Sequence, residues 1–187
     1  WDPSKVTQNK DVLIIGPGNS INKYKKKIIR FIKKNKPIVL VLNAINQIPK
    51  KYVYANIVCH PLRLLSDIDK YKKSNKYLIT PFSSFSKNIK TRINSKKLLN
   101  FGLQVKNQKF RFEKNFVVLP NSLAFTYTLG ICTSGKCKKI FLAGLDGYSK
   151  TSPKKFEMDD VLQNYNLEKQ ARKIVSLTPT NYRIKTI

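Results

Sequence analysis

A single histidine, three cysteines and only ten acidic residues stand in this chain of 187 residues, and each scarcity closes off a class of chemistry. With His60 as the one imidazole, a structural zinc site is not expected. Cys59, Cys132 and Cys137 cannot all pair, and the spacing of Cys132 and Cys137 is not CxxC, so a reducing compartment is expected. The longest apolar runs, Val12 to Gly16 and Ile38 to Leu42, fall far short of the roughly 20 residues that span a bilayer. Trp1 opens the chain with no charged segment leading into an apolar one. The expectation is therefore a cytoplasmic protein without a signal peptide, excised from a longer polypeptide.

Against those ten acids stand 37 Lys and Arg, a formal net charge of +27. Such an excess repels itself unless anions lie nearby. Few of the cations are Arg, and the chain is also rich in Asn and Ile. Low-GC codon usage produces that composition, and a solvated lysine surface is its plainest account. An anionic membrane surface at the inner face is admitted as a partner. Nucleic acid is disfavoured, because neither an RRM-type aromatic pattern nor a helix-turn-helix signature accompanies the charge.

The length and the 41% hydrophobic content suit one domain over residues 1–187. Asp11 to Gly16 reads as a strand buried on both faces. After Gly16-Pro17-Gly18-Asn19-Ser20, apolar residues at Ile21, Tyr24, Ile28, Ile29 and Ile32 predict a helix to about Asn35. Ile38 to Leu42 then completes a strand-helix-strand unit. Tyr54 to Cys59 and Tyr77 to Thr80 read as strands stopped by prolines. Ser83 to Phe116 shows no firm period and is expected to be irregular or edge structure. A helix is predicted over Ser122 to Gly130, capped by Asn121 or Ser122. A strand over Lys139 to Gly144, a helix around Met158 to Ala171 and a short last strand near Tyr182 to Ile184 follow. Lysines cluster at Lys25 to Lys27 and at Lys96 and Lys97. The fold class expected is α/β and Rossmann-like: a mostly parallel sheet with helices on both faces.

The glycine loop is the most informative local feature. A strand that turns into a helix through small residues exposes amides at a positive dipole end, an anion cradle made by Gly16, Gly18, Asn19 and Ser20. A plain turn in which Asn19 or Ser20 caps the helix accounts for the same residues. Asn43 follows a strand, where it serves either a ribose or base edge or an ordinary turn. Asp146 sits between flanking glycines at another strand end, where it contacts a ligand hydroxyl, a metal or a transferred proton, or caps backbone amides. His60 is the one side chain whose ordinary pKa suits proton transfer at neutral pH, and a structural histidine is the alternative. Glu157, Asp159 and Asp160 are the one acidic cluster, suited to magnesium or to a helix dipole.

Val12 to Ser20, Val41-Leu42-Asn43, Pro120-Asn121-Ser122-Leu123 and Ile140 to Tyr148 together carry a resemblance. They resemble the Rossmann-like domains grouped with archaeal 6-hydroxymethylpterin diphosphokinases and, more distantly, bacterial sialyltransferases that use a CMP sugar. The span is roughly residues 10 to 165. The resemblance places its family's roles on Asn19, Asn43, Ser122 and the pair Asp146 and Tyr148. Asn121 and Gly144 join the expected nucleotide contacts, and Asp146 or His60 is the expected base. Two departures stand out: no histidine follows Gly144-Leu145-Asp146-Gly147-Tyr148, and there is no long lid insertion. The segment from Gly144 through Tyr165 looks closer to domains of this group fused to other enzymes of bacterial surface-sugar clusters.

The function expected is a nucleotide-sugar-dependent glycosyltransferase of surface polysaccharide or glycolipid assembly. Its donor is a nucleotide sugar, its acceptor a glycan, and no metal site is assigned. A diphosphokinase acting on a hydroxymethylpterin would require Mg²⁺ to screen its phosphates. A binding module for nucleotides or nucleic acid is the non-catalytic alternative.

Overall fold

Uninterrupted apolar runs build the main sheet of this protein. The computed structural model describes residues 1–45, 47–93 and 97–187, so Lys96 lies outside the described residues. A short helix α1 (Ser4–Thr7) precedes strand β1 (Asp11–Ile15), which leads through the glycine loop into α2 (Ser20–Asn35) and on to β2 (Ile38–Leu42). Then come β3 (Ala55–Ile57), α3 (Pro61–Ser66), α4 (Ile68–Lys72), β4 (Tyr77–Thr80), α5 (Lys87–Arg92) and β5 (Leu98–Asn100). Three strands, β6 (Gly102–Val105), β7 (Arg111–Phe112) and β8 (Phe116–Leu119), lead to α6 (Ala124–Ser134), β9 (Lys139–Ala143), α7 (Pro153–Leu167) and β10 (Ile174–Ser176).

Seven strands pair in the order β10-β9-β1-β2-β3-β4-β5, every pair parallel. This is the expected Rossmann-like α/β architecture. Side chains alternate along a strand, so Val12 and Ile14 of β1 face one layer and Leu13 and Ile15 the other. Both layers are apolar, which is why β1 reads as a continuous run rather than an alternation. The first layer holds α6, α7 and the small sheet β6-β8-β7. The second holds α2 over the middle of the sheet and α3 to α5 towards the β5 edge. Helix α2 seats Ile21, Ile28 and Ile32 on the sheet, about 2 kcal/mol each by burial. Lys36, in the left-handed conformation, ends it. Helix α6 is buried from Phe125 through Thr133, so it lacks a polar face and its sequence shows no amphipathic period.

Four sequence expectations change. Ser83 to Phe116 holds the edge strand β5, as expected, but is otherwise more ordered than expected, since it includes α5 and the small-sheet strands β6 and β7. Those small-sheet strands run two to four residues with mixed burial, too short to print a period. The third strand is cut to Ala55–Ile57. The helix expected from Ser122 begins at Ala124 and runs to Ser134. The last strand is β10, and Tyr182 to Ile184 forms none, since the segment before it turns its polar groups to the β9 loop.

Candidate functional site

The chain moves outward from β1 to β5 on one side of the sheet and returns to place β9 and β10 on the other. The loops after β1 and β9 therefore leave the same edge in opposite directions, which opens the crevice where ligands bind in such sheets. A cleft of about 270 Å³ lies there, with Gly18, Asn43, Gly144, Asp146 and Tyr148 in its lining. Leu42, Leu123, Phe125, Met158 and Tyr182 supply its apolar walls.

The two loops are pressed together. Gly16 N–H donates to the Ala143 carbonyl at 2.8 Å, and Gly18 N–H donates to that of Gly144 at 2.7 Å. A Cβ on Gly18 would stand 2.4 Å from the Asp146 carboxylate. Gly144 takes φ +70, and a Cβ there would strike Ile21. The bareness of Gly18 thus admits a carboxylate of the protein itself. Asp146 Oδ2 accepts the Ser20 amide at 2.9 Å, and Oδ1 accepts the Ser20 hydroxyl. Asp146 is therefore the anion at the start of α2, while Asn19 is exposed and makes no side-chain cap.

Helix α6 presents the opposite case. No side chain caps it, and its first residues line the cleft. Asn121 Oδ1 accepts the Leu123 amide at 3.3 Å, one position before the helix, and Asn121 Nδ2 donates to Glu157 at 3.1 Å. Ser122 is exposed, and its carbonyl accepts the Cys59 thiol at 3.0 Å. Burial pushes that thiol up from 9.0 to about 12. Neither Asn121 nor Ser122 is part of the cleft lining.

Asn43 holds φ 57, a left-handed conformation that asparagine tolerates better than most residues. Its amide donates to the Ile57 carbonyl and its own carbonyl accepts Asn56 Nδ2, both at 2.8 Å. Both of its backbone groups are thereby held by β3. The Asn43 side chain makes no hydrogen bond among the described residues. His60 is exposed at the start of α3 and lies outside the cleft lining. The structure thus brings Gly18, Asn43, Gly144, Asp146 and Tyr148 together, with Gly16, Asn19 and Ser20 behind them, and sets Asn121, Ser122 and His60 aside.

The sequence reading missed the segment after β10. Thr178 Oγ1 accepts the Gly144 amide at 3.1 Å, and the Thr180 hydroxyl donates to the Leu145 carbonyl at 2.6 Å. Asn181 N–H donates to the Asp146 carbonyl at 2.8 Å. Its side chain donates to the Tyr148 carbonyl at 3.3 Å. These bonds clamp the loop that carries Asp146. Tyr182 then closes the cleft, its phenol pushed up to about 12 by burial, with Tyr148 and Asp159 adding to the shift. The polar run Thr178-Pro179-Thr180-Asn181 was the available signal. Tyr148 is 43% exposed at the mouth, with the Lys154 ammonium 5.8 Å from its ring centre.

Glu157, Asp159 and Asp160 lie beyond the first turn of α7. Glu157 accepts from Asn121, and Asp159 pairs with Lys155. Among the described residues no group of three or more His, Cys, Asp or Glu is placed to hold a metal ion. No helix among them is long and apolar enough to cross a membrane. No protein-family model matches this chain, and neither does any curated protein.

Proposed function

We propose that this domain binds a nucleotide in the switch-point cleft and transfers the sugar that the nucleotide carries, most simply from a CMP sugar, to a glycan acceptor. The observation that carries the reading is the cleft itself, lined by Asn43, Asp146 and Tyr148 at the carboxyl edge of a parallel sheet. Its volume lies just below the usual range of about 300–1,000 Å³ for small-molecule sites, which favours a mononucleotide over a dinucleotide. The free side chain of Asn43 suits a base or ribose edge. Leu42, Phe125 and Met158 offer apolar surface to the base.

The phosphate is best set against the first amides of α6. The dipole there meets no side-chain cap, whereas the Gly18 and Ser20 amides are engaged and Asp146 would repel a second anion. Asp146 lines the cleft and His60 does not, so Asp146 takes the acceptor proton and Ser20 positions its carboxylate. Asn181, which holds Tyr148, also borders a wider groove lined by Lys150, Phe156, Gln163 and Asn166, whose amides, charge and exposed ring suit a glycan.

A thermal-shift series with CMP, UDP, GDP and ATP, each with and without Mg²⁺, tests the reading. A rise with a pyrimidine nucleotide in the absence of Mg²⁺ supports it. A rise confined to ATP with Mg²⁺ replaces it with diphosphate transfer, and no rise with any nucleotide removes it.

A further inference from the structure

The positive charge of this protein is not evenly spread. No Asp or Glu occurs between Asp11 and Asp67, and α2 lies wholly within that stretch. With about 100° between successive residues, Lys23, Lys26, Lys27, Arg30, Lys33 and Lys34 fall on the side of α2 opposite Ile21, Ile28 and Ile32. All six are exposed. They make a stripe three turns long, about 16 Å at 1.5 Å per residue. None of the side-chain ion pairs among the described residues reaches α2, and of the six cations Lys27 donates to the Ile187 carbonyl. The acidic residues of α7 belong to the other layer of the sheet.

We propose that this stripe docks the protein on the anionic surface of a phospholipid bilayer, independently of what the cleft binds. Charge complementarity names the partner, since α2 has already spent its apolar face on the sheet and has no hydrophobic stripe left to insert into lipid. Three details favour headgroups over nucleic acid. Five of the six cations are lysines, compact charges suited to many loosely placed phosphates rather than to the bidentate geometry of arginine. Ile29, half-buried, lines a shallow depression with Lys26, Arg30, Lys33 and Lys34. Tyr24 and Tyr52, half-buried on this same layer, each carry a lysine ammonium near the ring, Lys23 at 5.8 Å and Lys51 at 5.3 Å. Tyrosine beside lysine is the side-chain chemistry of a bilayer interface. The stripe begins one turn from the Gly18 end of α2, so docking holds the cleft mouth beside the membrane and within reach of acceptors displayed there.

The test is co-sedimentation of the full chain with vesicles of phosphatidylcholine alone, or with about one third phosphatidylglycerol, at about 0.1 M and about 0.5 M salt. Binding is expected only with the anionic vesicles and only at the lower salt. Each cation near an anionic surface contributes roughly fivefold, so K26Q/R30Q/K33Q should lower partitioning by about a hundredfold. A second variant, K106Q/K109Q/K169Q, removes the same charge outside α2 and should change it less than threefold. Both substitute exposed positions, and their melting temperatures and nucleotide responses should match the unaltered protein. Equal losses in the two variants would overturn the proposal in favour of net charge alone. Equal binding to neutral vesicles, or tighter binding to duplex DNA in the same buffer, would overturn it as well.

Discussion

Helices α2 and α6 both start at the rim of the cleft, yet α2 receives the Asp146 carboxylate on its Ser20 amide while α6 starts from Leu123 with no cap. The glycine-rich loop, which advertises an anion site in the sequence, leads to the helix whose positive end is already neutralised. The unadvertised helix keeps its end free beside the cavity. A glycine loop is thus evidence for close approach, and what approaches is decided by the fold: here, the carboxylate of a residue on β9's loop.

The sharpest test of this contrast is Asp146→Asn. If the carboxylate both caps α2 and takes the acceptor proton, turnover with the donor found by thermal shift should fall by roughly two orders of magnitude or more. The melting temperature should fall only modestly, because asparagine keeps one acceptor for Ser20. Near-normal turnover would leave Asp146 as a cap alone. Next in size is Gly18→Val, which drives a branched side chain into that carboxylate and should cost about 2–3 kcal/mol by chemical denaturation. A stable Gly18→Val protein with weakened nucleotide binding would instead return the bare glycine to the ligand.

Leu123→Asp gives α6 the cap and the negative charge it lacks. Nucleotide affinity should drop about tenfold, while the cap's contribution of about 0.5–1 kcal/mol offsets part of the apolar contact that Leu123 gives up, so the melting temperature should fall only modestly. Unchanged affinity, read by calorimetric titration, would move the phosphate away from α6. The smallest effect expected is in pH. Cys59 supports the entry of α6 through the Ser122 carbonyl, and its thiol is raised from 9.0 to about 12 in the folded protein. A raised folded value favours folding fully below about pH 9, and that contribution is lost as pH rises towards 12. The melting temperature should therefore fall over that window, and Cys59→Ser should flatten the fall.

Much of this contrast could not be read from the chain. The strands β1, β2, β4 and β9 were legible because a parallel strand buried on both faces leaves an unbroken apolar run. The small sheet was not, since Gln104 and Val105 face outwards at the end of β6 while Arg111 is exposed on β7. That Asp146, Asn43 and Gly18 would share a cleft was legible because each follows a strand end at the carboxyl edge of a parallel sheet. Tyr182 was missed because it lies in coil, held by bonds that run from threonine side chains to a distant loop. His60 and Ser122 were drawn in by residue type and by resemblance, and neither argument contains the direction in which an exposed side chain points.

The bond between Ser20 and Asp146 joins positions 126 residues apart, and β1 at the centre of the sheet waits on β9 for one of its two neighbours. On a ribosome, α2 therefore emerges long before the carboxylate that completes it, and so does β1 before its second edge is covered. Closing so long a loop is slow. Until β9 arrives, Leu13 and Ile15 belong to a half-built sheet with an open edge, the species most exposed to association with other chains. The cleft is consequently among the last features to form, and its completion reports that synthesis and folding have both run past β9 and its loop.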